Sequence, residues 1–375
     1  MKVLVTGSNG FIARNLLVHL GERKDVEVSL FARGDDLQTL QEKVAEADCI
    51  FHLAGVNRPQ DPLEFASGNS ELTEQLCKAV RACERKPAVL YTSSIQAERD
   101  NPYGISKLAA ERALLELADE HGSPVYIFRL PNVFGKWARP NYNSAVATFC
   151  HNIARDLPVQ IHDGSAALNL VYVDDVVRCF ISIMDGAAVA PGMVDVEPVY
   201  GTTVGELAEQ LRRFRASRAT LVTENVGVGL VRALYSTYLS YLPPESFTYE
   251  VPKYGDPRGV FVEMLKTPQA GQFSYFTAHP GITRGGHYHH SKTEKFLVIK
   301  GKASFRFRHV VTDEFYELQT SGDSPTIVET VPGWTHDITN VGDDEMIVML
   351  WANEIFDREL PDTYALPVCP DLAKA

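Results

Sequence analysis

Val3-Leu4-Val5-Thr6-Gly7-Ser8-Asn9-Gly10-Phe11-Ile12-Ala13 opens the chain with an apolar run, a turn carrying two glycines and the start of a helical repeat. Ile12, Leu16 and Leu20 recur at helical spacing, so the segment predicts a strand that turns into a helix. Glycines at such a turn let the backbone approach a phosphate, and the unpaired N–H groups of the first helical turn offer it partial positive charge. Gly7, Asn9, Gly10, Phe11 and Ile12 are therefore candidate nucleotide contacts. Further short apolar runs, Val28-Ser29-Leu30-Phe31 and Ile50-Phe51-His52-Leu53, alternate with helical patterns. That is a βαβαβ order, which predicts a Rossmann-type parallel sheet.

The second run ends in Phe31-Ala32-Arg33-Gly34-Asp35-Asp36. An acidic residue there takes the ribose hydroxyl of NAD, whereas an arginine suits the added phosphate of NADP. Arg33 at the tip, with Arg14 just past the phosphate turn, favours NADPH. In the other reading Arg33 is a solvated turn residue and Asp35 or Asp36 reads the ribose.

At 375 residues, with about 150 residues per domain, the chain is expected to form about two domains. A hydrophobic fraction of 45% with 22% charged residues excludes a disordered or coiled-coil chain. No run approaches the roughly 18 apolar residues of a membrane span, and Met1-Lys2 leads straight into Val3, so a cytoplasmic protein is expected. The net charge of −12 argues against nucleic acid and anionic membrane as partners. The 6 cysteines lack metal-site spacing and read as buried thiols. Helical periods stop near Tyr241-Leu242-Pro243-Pro244-Glu245, and alternation such as Ala303, Phe305 and Phe307 takes over. The expected domains are residues 1–243, α/β, and 244–375, all-β.

Tyr103 and Lys107, four apart at the start of an Ala-rich helix, share one face. A lysine ammonium beside a phenol eases proton transfer to a carbonyl oxygen, and Ser94, ending the strand Leu90-Tyr91-Thr92-Ser93-Ser94, supplies a hydroxyl for that oxygen. Together with Thr6-Gly7-x-x-Gly10-x-x-Ala13, His52-Leu53-Ala54-Gly55, Arg129-Leu130-Pro131-Asn132-Val133-Phe134-Gly135 and Val171-Tyr172-Val173-Asp174-Asp175, these motifs resemble the extended short-chain dehydrogenase/reductase family. The resemblance implies Tyr103 as acid/base, Lys107 as its partner and cofactor anchor, and Ser94, or alternatively Ser93, as the ketone-orienting hydroxyl. It further implies cofactor contacts at Leu53, Ala54 and Gly55, and nucleotide-sugar contacts at Asn132 and Asn169, which otherwise cap turns. The stretch from Ser94 to Tyr103 is short for the family, leaving less loop over the substrate.

Downstream, Gly281, His287, His289, Glu294 and Gly301 are followed by His336. His287 and His289 project from one face of a strand, and three imidazoles with a carboxylate suit a borderline divalent ion. The pattern resembles the cupin family, an all-β jelly-roll barrel, with His287, His289, Glu294 and His336 as metal ligands. Zinc would polarise a ketone, iron would imply oxygen chemistry, and a purely structural metal is the alternative. Arg284-Gly285-Gly286-His287 resembles sugar-nucleotide epimerases built on cupin barrels; Arg284 would hold a phosphate or an enolate oxygen, and Tyr288 and His290 are candidate proton carriers. A reductase followed by a cupin resembles the capsular polysaccharide epimerase/reductases acting on a UDP-2-acetamido-2,6-dideoxy-hexos-4-ulose. That likeness implies epimerisation at carbon 3, reduction at carbon 4 with NADPH, a UDP-sugar substrate leading to UDP-N-acetyl-L-fucosamine, and a homodimer or higher oligomer. The other readings are a reductase whose cupin only binds or dimerises, and an NADP-binding redox sensor without catalysis.

Overall fold

The computed structural model describes residues 1–61, 63–256, 259–262, 265, 267, 271–354, 357 and 359–369. The chain forms two compact units, one of Met1–Ala145 with Ala167–Thr202 and one of Val146–Ala166 with Thr203–Ala375.

In the first unit, strands β1 (Lys2–Thr6), β2 (Glu27–Phe31), β3 (Cys49–His52), β4 (Ala88–Ser94) and β5 (Val125–Leu130) alternate with helices α1 (Phe11–Gly21), α2 (Leu37–Glu46), α3 (Leu72–Arg81) and α4 (Pro102–His121). They form a parallel sheet in the order β2-β1-β3-β4-β5, extended by the short strand Gly192–Met193. Burial on both faces explains the continuous apolar runs: every residue of β3 is buried, and Leu4, Ile50 and Val89 meet Leu76, Val80 and Leu114 in one core. The order reverses between β1 and β3, and ligands of open parallel sheets bind at the carboxyl ends of strands flanking such a switch. Gly7 sits at that end with φ +66, and a Cβ on it would lie 2.6 Å from Ala54 Cα. Here glycine is required by both conformation and space.

In the second unit, helices Val204–Thr220 and Gly229–Ser240 precede two antiparallel five-stranded sheets, and every described element from Thr248 onward is a strand. The expected switch from helical to strand periodicity is thus seen, although these two helices pack in the same unit as the strands. A buried charge network joins them. Arg218, from the first of these helices, and Lys295 both donate to the Glu329 carboxylate, Lys295 Nζ also reaches Tyr249 Oη at 2.9 Å, and Tyr235 Oη lies 3.4 Å from Glu329. Burial opposes ionisation of Glu329, but the two cations outweigh it and hold the carboxyl below its usual range. Among the described residues, no helix is long and apolar enough to cross a membrane.

Glu329→Ala strands two cations in a dry site and is expected to destabilise the unit by about 3–5 kcal/mol, seen as a lower melting temperature by calorimetry. Adding Lys295→Met should restore part of the loss. Because the folded carboxyl is depressed, its contribution is present above the unfolded value near ~4.3 and is lost as pH falls through the folded one. Unchanged melting in Glu329→Ala would remove the network from any account of stability.

Candidate functional site

At the carboxyl end of β1, Gly10 N–H donates to Gly7 O at 2.8 Å and the tight turn leads into α1. No side chain caps this helix, and the N–H groups of its first turn, including those of Phe11 and Ile12, have no partner within the helix itself. Leu53, Ala54 and Gly55 follow β3 at the same edge. A Cβ on Gly55 would come within 2.9 Å of Asn69 Oδ1 and 3.2 Å of Lys107 Nζ.

Arg33 is 91% exposed and lies 3.4 Å from Glu64 Oε2. Neighbouring carboxylates are committed locally: Asp35 accepts from Ala32 N–H at 3.0 Å, and Asp36 caps α2 by accepting from Thr39 N–H at 2.8 Å. All three residues weighed for the ribose are exposed, and Arg33 reaches furthest into solvent while one oxygen of each aspartate is engaged locally.

The proton-transfer set is built on β4 and α4. Asn101 caps α4 through Gly104 N–H, and Pro102 occupies its first turn. Tyr103 and Lys107 then fall on the buried face, with Phe65 against the Tyr103 ring at 5.7 Å. Gly104 permits close packing of the short Ile95–Glu98 helix, since a Cβ there would lie 2.4 Å from Gln96 O. Lys107 Nζ donates to Thr92 O at 2.9 Å and Tyr91 Oη at 3.2 Å. Burial pushes it down to about 8, opposed by Glu111. Burial pushes the Tyr103 phenol up, the Ser94 hydroxyl pulling the other way, so the phenol holds its proton at neutral pH. Ser93 donates to Glu111, which also receives Arg129 Nη2 at 2.7 Å. Ser94 is therefore the hydroxyl at Tyr103. Asn132 Nδ2 donates to Asn169 O at 3.3 Å across two paired strands, so neither asparagine caps a turn.

In the second unit, His287, His289, Glu294 and His336 bring one donor atom each within 4.8 Å of one another. His287 and His336 are paired on adjacent strands with rings 4.9 Å apart, and Phe296 and Phe307 pack nearby. His289 Nδ1 contacts Asp362 O at 2.6 Å, and its Nε2 is 3.2 Å from Glu294 Oε2. A carbonyl only accepts, so Nδ1 carries the proton and the Nε2 lone pair faces the carboxylate. Two lone pairs so close require a proton or a cation between them. Both ring nitrogens of buried His336 lack a hydrogen-bond partner, Nε2 lying 3.6 Å from Glu294. Burial raises the cost of ionising Glu294, yet His289 and His336 hold its carboxyl well below the usual range. Burial and the other two imidazoles push His287 down to about 3, so it stays neutral. Three imidazoles and a carboxylate fit a divalent ion.

Arg284 shares the cluster's face. In an even strand a residue three before His287 would face away, but the pairing shifts between Gly285 and His287, where Gly285 and Gly286 have φ +101 and +74. Arg284 is thereby paired with Ile338, and its guanidinium lies 5.1 Å from the Phe276 ring centre. Tyr288 and His290 are not brought to the cluster: alternation turns them to the other face, where their rings pack against Tyr364 at 5.6 and 4.9 Å.

Residues 3–196 match the NAD dependent epimerase/dehydratase family, and 254–364 match the polysaccharide biosynthesis C-terminal domain. The chain belongs to the NAD dependent epimerase/dehydratase family. It is 66% identical over 368 residues, covering 98% of this chain and 99% of the relative, to the UDP-2-acetamido-2,6-beta-L-arabino-hexul-4-ose reductase of Pseudomonas aeruginosa. The crystal structure of the capsular polysaccharide assembling protein CapF from Staphylococcus aureus is similar over 98% of this chain and all (100%) of that one, with 42% identity and a TM-score of 0.67. Bacillus cereus UDP-glucuronic acid 4-epimerase with NAD shares the fold over 57% of this chain and 83% of its own, at 19% identity and a TM-score of 0.52. A nicotinamide nucleotide is accordingly the cofactor.

Sequence reading missed Asn69 and Glu111. Asn69 accepts from Val56 N–H at 2.8 Å and donates to Ser106 Oγ at 2.9 Å from within a π-helical turn, which carries no local signal. Glu111 lies four residues beyond Lys107 on its helix face, a spacing that was readable.

Affinity for a reduced nicotinamide nucleotide, followed by fluorescence titration, is expected to fall as pH rises through about 8, where free Lys107 loses its charge. Lys107→Met should flatten that limb; a limb that persists in the variant would assign it to another group.

Proposed function

We propose that the chain is a bifunctional nucleotide-sugar enzyme that epimerises carbon 3 of a UDP-2-acetamido-2,6-dideoxy-4-keto-hexose and reduces its carbon-4 ketone, toward UDP-N-acetyl-L-fucosamine for a surface polysaccharide. The observation that carries this reading is a Ser94-Tyr103-Lys107 proton-transfer set and a three-histidine, one-glutamate centre in one chain. The Pseudomonas relative is named for reduction of such a ketone, which supports the first half. We assign reduction to residues 1–243 and epimerisation to 244–375.

In the reduction, Ser94 holds the carbon-4 oxygen and Tyr103 donates its phenolic proton to it. Lys107, fixed by Thr92 and Tyr91, has one remaining N–H for the cofactor ribose and favours the phenolate that Tyr103 becomes. Bound NADPH supplies the hydride. Arg33 reads its 2′-phosphate, the local commitments of Asp35 and Asp36 supporting NADPH over NADH. In the epimerisation, His287, His289, Glu294 and His336 hold a divalent ion, zinc by donor set, which supplies Lewis acidity beside the ketone. Arg284, exposed on the cluster's face, holds the negative charge of the substrate.

Incubation with the UDP-4-keto sugar in heavy water without NADPH should place deuterium at carbon 3 by NMR, and NADPH added afterwards should be oxidised. Tyr103→Phe should slow reduction by about 10²–10⁴-fold and leave the deuterium exchange intact. NADPH oxidation without any exchange would reduce the protein to a ketone reductase and the histidine centre to a structural one. Arg33→Ala should raise KM for NADPH about ten- to a hundredfold with little change for NADH; equal effects on both would return the ribose to the acidic residues.

A further inference from the structure

Between the ligands His289 and Glu294 runs His290-Ser291-Lys292-Thr293, a loop whose backbone is anchored almost group by group. Gly333 N–H donates to His289 O at 3.1 Å, Asn353 N–H to Thr293 O at 3.1 Å, and Thr293 N–H to Asn353 Oδ1 at 2.9 Å. The three N–H groups between them go to one side chain far along the chain: Asp362 accepts from His290 at 2.9 Å, Ser291 at 2.9 Å and Lys292 at 2.7 Å, and from Ser291 Oγ at 3.0 Å. The same residue's carbonyl receives His289 Nδ1–H at 2.6 Å. Asp362 has φ +37, a conformation L residues rarely adopt, and it turns the carboxylate to the loop while its carbonyl meets the ring.

The segment after it is strapped down. Leu366 N–H donates to Gly286 O at 2.8 Å, Thr335 Oγ1 donates to Leu366 O, and Arg308 donates to Val368 O at 2.9 Å and Pro367 O at 2.8 Å. Ala365 pairs with His287, a second ligand. The chain's last described segment thus braces two ligands of the centre.

We propose that Asp362 is the positioning residue of the histidine centre: its carboxylate clamps the turn between two ligands, and its carbonyl fixes His289 as the Nδ1–H tautomer with Nε2 turned to the ion. The inference rests on the divalent-ion reading above. An outer partner of a ligating imidazole sets ring orientation and donor strength, and its loss weakens metal binding by about 10–100-fold.

The test uses the full chain, stripped of metal, with zinc affinity read by competition against a chromophoric chelator and geometry by the visible spectrum of cobalt(II). Asp362→Ala should weaken zinc about 10–100-fold and shift the cobalt bands, with nicotinamide-nucleotide affinity unchanged. Asp362→Asn, which tolerates positive φ and keeps one acceptor oxygen, should fall between and carries the test if the alanine variant fails to fold. A lower melting temperature of the metal-free variant with unchanged zinc affinity and cobalt spectrum would make Asp362 a merely structural clamp and overturn the proposal. Failure of the unaltered chain to bind zinc or cobalt would instead overturn the metal reading beneath it.

Discussion

Burying the Lys107 ammonium is the constraint around which the first unit is arranged. A lysine taken from water loses its hydration and must find acceptors or give up its proton. β4 provides them through Thr92 O and Tyr91 Oη. Gly55 leaves room for the ammonium, and any side chain there would crowd it. His52, stacked on Tyr91 with ring centres 5.4 Å apart, is pushed down to about 3 by burial and by Lys107. It stays neutral, with Thr6 and Thr73 hydroxyls on its two nitrogens at 2.8 and 2.9 Å, and adds no second positive charge. Glu111 supports the lysine electrostatically while its own oxygens are occupied by Ser93 and Arg129. A chemical requirement at one atom thus accounts for residue choices on β3, β4 and α4.

The second unit meets the mirror problem, a buried carboxylate. Glu294 is kept ionised by imidazoles, and Glu329, on a strand paired with that of Glu294, is kept ionised by Arg218 and Lys295. The partners differ in what they can do. Guanidinium and ammonium close the Glu329 network with fixed charges, which suits a structural joint. Imidazoles are neutral donors when unprotonated, so the Glu294 cluster can accept a cation where the other cannot. The same strand pair therefore carries a joint on one face and a candidate site on the other.

Much of this was legible in the residues. Strand-turn-helix order, the Tyr103-Lys107 spacing and the four donors around His287 depend on local periodicity, and the structure gathers each set. What escaped depended on contacts distant in sequence or on departures from ideal geometry. Ser94 is preferred over Ser93 from sequence, but the reason, that Glu111 claims Ser93, is visible only in the structure. Asp35 and Asp36 stand as the alternative ribose readers in the sequence, and only the structure shows that one oxygen of each is engaged by backbone N–H groups. Helices 204–220 and 229–240 read as the end of an α/β domain, but Arg218 and Tyr235 aim their polar ends at a sheet residue near position 329. Alternation alone misplaces Arg284, because the paired glycines at 285 and 286 insert a shift that no hydrophobic pattern announces.

The Gly285-Gly286 shift also bears on why the two chemistries proposed above would suit one chain. A proton on carbon 3 is acidic only while the carbon-4 ketone persists, since the negative charge left by its removal must spread onto that oxygen. A centre that works on carbon 3 therefore has to offer positive character to oxygen, and the shift brings Arg284 to the face that already holds His287 and Glu294. In the reduction proposed above, the Tyr103 site would end the same ketone by protonating it as hydride arrives, after which carbon 3 loses its acidity. Reduction thus fixes whatever configuration epimerisation has reached, and it draws the preceding equilibrium forward. Joining the two proposed activities in one polypeptide would match their supply without requiring that the intermediate be passed directly, because the order is enforced by the chemistry of the ketone.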